Sequence, residues 1–201
     1  GNWLRRAADA GVKFDGFSDH GVSEAIYLTD PDGNGLEFYA DRPAEAWPRL
    51  NGEIAMFTQP LELPSLLAES AAAPSGQPLA GARWGHLHLR VTDLERSDRF
   101  YRVALGASVT QGSYPGARFL AADGYHHHLG LNTWGRPRRP RPPSALGLAE
   151  ATFARTGLTA EQELSDRLAR PGRRPRRPRT GLTAEQELSD PDGIPLRLVA
   201  A

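Results

Sequence analysis

Proline sets the limits of regular structure in this 201-residue chain. Pro43, Pro48, Pro60, Pro64, Pro74 and Pro78 interrupt residues 43–83, and a run rich in Arg and Pro covers Gly135–Pro143. Proline lacks an N–H and fixes φ, so neither stretch suits a long helix or a central strand. Regular elements are therefore expected before residue 43, between residues 84 and 134, and at the C-terminal end.

Within those windows the pattern is readable. Residues 2–10 (NWLRRAADA) read as the end of a helix, closed by Gly11, where a left-handed residue is favoured. Strand-like runs at Val22–Thr29 and Gly35–Ala40 are joined by Asp30-Pro31-Asp32-Gly33-Asn34, whose Pro presets φ and whose Gly supplies positive φ. A short helix is expected near Ser65–Ala72. His86–Val91 alternates as a strand. Asp93 can cap a helix over Leu94–Leu105, with Glu95 in its first turn and Gly106 at its end. Leu94, Phe100, Tyr101 and Leu105 form the apolar face of that helix. Strand candidates follow at Ala107–Gln111, Ala117–Ala122 and Tyr125–Thr133. The order is strand, helix, three strands.

Composition limits partners and location. Apolar residues make up 39% of the chain, enough for a packed core. The longest apolar runs fall far short of the ~20 residues that cross a bilayer, and no signal-like segment opens the sequence. These features lead us to expect a cytoplasmic protein with no membrane partner. Without cysteine there is no disulfide framework and no thiolate metal site. The 24 basic and 24 acidic residues cancel, yet residues 135–179 carry 12 Arg against 4 acids, leaving the remainder net acidic by the same amount. The Arg/Pro tracts lack interleaved aromatics, so no nucleic-acid partner is expected.

Residues 135–188 are unlike the rest. The hexamer RPRRPR occurs at Arg136–Arg141 and Arg174–Arg179, and RTGLTAEQELSD occurs identically at Arg155–Asp166 and Arg179–Asp190. Repeat folds diverge in sequence and keep a uniform period, whereas these copies are identical and unevenly spaced. The stretch is expected to be irregular and disordered. Pattern returns at Asp190–Val199, where DPDG again precedes a strand-like LRLV.

All six histidines fall in three places: His20, the pair His86 and His88, and the run His126–His128. Histidines with a carboxylate are the common ligand set for Fe(II), Zn(II) and Mn(II). Glu37 lies mid-strand in GLEFYA, where an acid on a buried face needs a partner. A lone strand Glu usually faces solvent and a lone loop His is usually inert. Three His clusters and one strand Glu in a chain this short favour a metal site.

Gly85–Gly106 (GHLHLRVTDLERSDRFYRVALG) resembles the vicinal oxygen chelate superfamily, which includes glyoxalases, bleomycin-resistance proteins and extradiol dioxygenases. In that family a ligand His stands seven residues before the helix-opening Asp, which here is His86. Ser18–Tyr39 (SDHGVSEAIYLTDPDGNGLEFY) is similar to the end of the catalytic domain of catechol-2,3-dioxygenase-like proteins, with His20, Tyr27 and Glu37 at matching positions. Gly124–Trp134 (GYHHHLGLNTW) is similar to the dioxygenase strand bearing the acid–base His, which matches His127. The resemblance implies an α+β fold of βαβββ modules, truncated at its N-terminus. The implied domains are the C-terminal part of one module (residues 1–42), a linker (43–83), a second module (84–134), the irregular stretch (135–188) and a remnant last strand (189–201).

The resemblance further implies a metal held by His86 and Glu37, with Fe(II) first and Mn(II) second, and catalytic roles for His127, His20 and Tyr27. A third ligand His would lie in a strand before residue 1, and the position matching Glu37 in the last strand is Arg197. The two modules are expected to face each other across one cup. The implied activity is extradiol cleavage of a small catechol-like aromatic with O2, by an incomplete fragment. The alternative is a non-catalytic module that binds a small aromatic or an antibiotic. Sheet edges left open by missing modules would favour a homo-oligomer.

Overall fold

The computed structural model describes residues 1–71, 81–135, 139, 140, 142, 144, 146–155 and 185–200. They form two compact units, Gly1–Gly85 and His86–Ala201. No helix among the described residues is long and apolar enough to cross a membrane.

The first unit opens with α1 (Asn2–Asp9). Strands β1 (Gly16–Asp19), β2 (Ser23–Thr29) and β3 (Gly35–Asp41) follow, then the two-residue strands β4 (Arg49–Leu50), β5 (Glu53–Ile54) and β6 (Gln59–Pro60), and α2 (Leu63–Ala71). The main sheet has the order β3-β2-β1-β6, with every pair antiparallel. The β2–β3 turn is locked by Asp30, whose Oδ1 accepts the N–H groups of Asp32 and Asn34 while Oδ2 accepts the Asn34 amide. Gly33 sits there at φ +87°, as a left-handed turn position requires.

Alternation then sorts the sheet faces. Ile26 pairs with Phe38 and Leu28 with Leu36, while Tyr27 pairs with Glu37 between them. Trp3 of α1 stacks on Phe38 with ring centroids 4.0 Å apart, so the helix covers the leucine face. Tyr27 and Glu37 consequently point to the opposite face.

The second unit contains β7 (Leu87–Arg90), α3 (Leu94–Leu105), β8 (Ser108–Gln111), β9 (Ala117–Ala121) and β10 (Leu129–Asn132). This is the strand, helix, three-strand order read from the sequence, and helix α3 has the expected bounds. Asp93 accepts the Arg96 N–H as N-cap, and Gly106 ends the helix at φ 67°. The sheet order is β7-β10-β9-β8, with β7 parallel to β10.

One strand is shorter than its sequence suggests. Tyr125–His128 lie outside β10; the chain bends at His126 and again at His128, whose backbone already bonds to Leu120 and Leu87 on the neighbouring strands. β10 also lies between β7 and β9, so the His run leads into a central strand and not an edge.

Two strands form inside the stretch expected to be irregular, β11 (Ala151–Arg155) and β12 (Glu185–Ser189). With β13 (Pro195–Ala200) they make a sheet of order β11-β13-β12, with β11 parallel and β12 antiparallel to β13. β7, β10 and β9 show the same arrangement, so the described residues of the C-terminal end match the first and last two strands of a βαβββ pattern. The partner of β11 is more than 40 residues away, a pairing no local period encodes. β12 lies within the second copy of the repeated dodecamer, and four of its five residues are polar. Most of the Arg/Pro tracts and nearly all of the first copy lie outside the described residues.

A shared core joins these two sheets. Leu120, Leu129, Leu131, Leu196 and Leu198 are almost fully buried, each worth ~1.5–3 kcal/mol of burial. The turn before β13 is held from inside: Asp190 accepts from Tyr101, and Asp192 accepts from the Thr92 N–H and from Arg96.

Candidate metal centre

The structure gathers His20, Tyr27 and Glu37 on one side of the first unit. Register places Tyr27 opposite Glu37, and the Tyr27 hydroxyl lies 2.9 Å from Glu37 Oε1. His20 follows β1 and reaches back, with Nε2 2.6 Å from the Tyr27 hydroxyl. Its Nδ1 lies 2.7 Å from the Phe57 carbonyl oxygen. A carbonyl only accepts, so Nδ1 carries a proton.

The proton count of this chain is tight. Two contacts, His20 to Tyr27 and Tyr27 to Glu37, need two protons, and the phenol supplies one. The second sits either on His20 Nε2, as imidazolium beside a carboxylate, or on Glu37, as an acid beside a neutral ring. Moving both protons along the chain converts one arrangement into the other with no net charge change.

The His20 loop is braced. Gly21 has φ +77°, and a Cβ there would stand 2.6 Å from the Phe57 ring. Asp19 accepts the Gly21 N–H and pairs with Arg42 at 2.9 Å. The Arg42 hydrogen bond outweighs desolvation and holds the Asp19 carboxyl below the usual carboxylate range.

The second unit gathers the other histidines. His86 precedes β7, and His88 on β7 stands opposite Gly130 of β10. A Cβ on Gly130 would come within 2.7 Å of the His88 ring, so the glycine gives that ring its room over β10. His127 is the hub. Its Nε2 lies 3.2 Å from His88 Nε2, its Nδ1 lies 2.7 Å from His126 Nδ1, and its ring centroid is 4.2 Å from that of His86. Phe119 packs on its edge at 4.8 Å. His126 is fully buried and His127 is 5% exposed.

His86, His126 and His127 each offer a ligand atom, all within 4.8 Å of one another. Neutral imidazoles so gathered suit a first-row divalent metal, so the donor set of this unit fits one. His128 stands apart. It accepts the Ala122 N–H, and burial pushes its pKa below the ordinary imidazole value.

Sequence reasoning singled out His127 and His86 but not His126, whose inward turn comes from the bend. The triplet of histidines after the Asp123-Gly124 turn was the available signal. The Phe57 carbonyl left none. An apolar cavity of about 310 Å³ between α1 and the Leu28–Leu36 face holds none of these residues. Arg197, at the position matching Glu37, is paired with Glu150 at 2.9 Å and with Glu185 at 3.4 Å.

Residues 83–198 match the family model described as Glyoxalase/Bleomycin resistance protein/Dioxygenase superfamily. Over 149 residues the chain is 44% identical to a catechol-2,3-dioxygenase of Bacillus subtilis (strain 168), covering 72% of this chain and 52% of that protein. The chain thus spans about half the length of that curated relative. A solved structure from the mobile metagenome of V. pseudocholerae overlaps at a TM-score of 0.39 and 22% identity, covering 58% of this chain and 92% of the other. The 2,2',3-trihydroxybiphenyl 1,2-dioxygenase of Sphingomonas wittichii strain RW1 overlaps at 0.34 and 14% identity, covering 99% of this chain and 65% of that one.

Proposed function

The chain belongs to the glyoxalase/bleomycin resistance protein/dioxygenase superfamily, and on that premise we propose that it derives from, and acts as, a ring-cleaving extradiol dioxygenase on a small catechol-like aromatic. The observation that carries this reading is the buried His127 ring, flanked by His86 and His88. The 44% identity to a catechol-2,3-dioxygenase supports the same reaction class. His86 and Glu37 are the proposed ligands, for Fe(II) first and Mn(II) second. When bound, the metal would hold the catechol oxygens and O2 together and supply the electron traffic between them.

The protein's own residues handle protons and exclude water. His127 accepts a substrate hydroxyl proton on a ring nitrogen and returns it during ring opening, the acid–base task that imidazole side chains most often perform. His127 has a partner at each ring nitrogen, His88 at Nε2 and His126 at Nδ1, so a proton it takes up can pass to a neighbouring ring. Burial of His126 and of His127, the latter against Phe119, keeps bulk water from competing. Tyr27, held between His20 and Glu37, has a single hydroxyl proton, which can shift from its present acceptor to an oxygen gaining negative charge. His20 then restores the phenol proton.

A second reading, a non-catalytic module that binds a small aromatic or an antibiotic, draws on Arg197. Its ion pairs put a cation where the first unit has Glu37. One assay separates the two. Chain loaded anaerobically with Fe(II) and then given catechol and O2 should form the yellow ring-opened product. Tight aromatic binding with no product would leave only the second reading.

A further inference from the structure

We infer that His86, His126 and His127 form an all-imidazole chelating site for a borderline divalent cation such as Cu(II) or Zn(II). It differs in donor set from the histidine–carboxylate site proposed above. The inference goes beyond the dioxygenase reading and stands without it, because all three rings belong to the His86–Ala201 unit.

The first ground is geometric. Consecutive residues of a strand point to opposite faces, yet His126 and His127 are both buried with their Nδ1 atoms 2.7 Å apart. The bend at His126 turns both rings inward. Neighbouring donors on an ion with bonds of ~2.1 Å lie about 3 Å apart, so this pair is already close to chelating distance. His86 brings a third donor within 4.8 Å of both.

The second ground is the surrounding shell. A metal-ligating imidazole usually donates its other N–H to a fixed acceptor, which sets its tautomer. His127 has that partner: with Nδ1 turned to the ion, Nε2 can donate to His88 Nε2 at 3.2 Å. Gly130 leaves the space that His88 needs.

The third ground is selectivity. Three neutral imidazoles give no charge compensation, which disfavours harder Mn(II) and favours the Cu(II) end of the divalent series. Such an ion would occupy His127 and His86 together. It would therefore block His127 as a proton carrier and take His86 from any other ion.

The test titrates the full chain with Cu(II) in the presence of glycine as a weak competing chelator. Electron paramagnetic resonance then counts the nitrogens coupled to the ion. One Cu(II) per chain with three coupled nitrogens is expected. His126→Gln should weaken binding at least 10-fold and reduce the count to two, while Glu37→Gln should change neither. A wild-type count of two or fewer would overturn the inference. So would an unchanged count in His126→Gln, or a loss in Glu37→Gln as large as that in His126→Gln. If His126→Gln does not fold by circular dichroism, the wild-type count and the Glu37→Gln titration decide. Failure of Fe(II)-loaded chain to cleave catechol would sink the dioxygenase reading and leave this result untouched.

Discussion

The Tyr101 hydroxyl donates to Asp190 Oδ2 at 3.0 Å, joining helix α3 to the turn before β13 across 89 positions of sequence. Tyr101 is fully buried and Asp190 is 5% exposed. Burial, then the neighbouring carboxylates, push the phenol pKa well above its ordinary value, so it stays a donor at any working pH. The other Asp190 oxygen accepts the N–H groups of Asp192 and Ile194. Tyr101→Phe removes one charged-acceptor hydrogen bond and leaves a buried carboxylate short of a partner. The expected loss is about 1.5–3 kcal/mol, read as a lower urea midpoint. An unchanged midpoint would show that this link does not hold the C-terminal sheet.

Gly130→Ala is expected to act on His88. The new Cβ would meet the His88 ring at 2.7 Å and must displace it, because Gly130 is buried within β10. The His88–His127 contact would then break. Loss of an orienting partner of this kind commonly costs 10–100-fold in activity or metal affinity. Ring-cleavage rates and metal titrations should both show it, with the far-ultraviolet spectrum retained.

Tyr27→Phe tests what the hydroxyl at the centre of the His20–Tyr27–Glu37 chain contributes. It keeps the ring but removes the hydroxyl that touches both neighbours. If Tyr27 donates to developing charge, kcat should fall about 10²-fold with a smaller change in KM. A rise in KM alone would assign the hydroxyl to substrate binding.

Acid sensitivity should trace to Asp19. Its folded pKa lies below the unfolded value of ~3.9, chiefly through the Arg42 hydrogen bond. A depressed carboxylate contributes stability that is complete above the unfolded pKa and is lost as pH falls through the folded one. Melting temperature should therefore decline below about pH 4 in the wild type. Arg42→Met should lower stability at neutral pH and flatten that decline. Curves of equal slope would remove Asp19 from the account.

Metal removal should abolish turnover if the proposed ligands act as such. Chain treated with a chelator should regain ring cleavage with Fe(II), and His86→Ala should not regain it, because removing a ligand opens the set. Recovery in His86→Ala would move the ion elsewhere.

Much of the first unit's site was legible in the sequence, because it depends on strand alternation and turn chemistry. The DPDGN turn fixes the β2–β3 register, and that register alone puts Tyr27 opposite Glu37. Helix α3 was equally legible, since Asp93 and Gly106 mark its ends by local hydrogen bonding and left-handed φ. The resemblance named His20 and Tyr27 as separate positions, and their 2.6 Å contact appears only in the folded chain.

By itself the sequence determined what short-range chemistry can determine: where proline forbids regular structure, where turns fall, and which side chains share a strand face. Only the tertiary structure decided that β11 and β12 pair with β13, and that the bend at His126 turns two consecutive rings inward. The pairing joins segments more than 40 residues apart, and its energy comes from a core that forms only when both sheets are present. The bend breaks the period on which any reading of side-chain direction depends. Long-range packing sets both, and no window of local residues contains it.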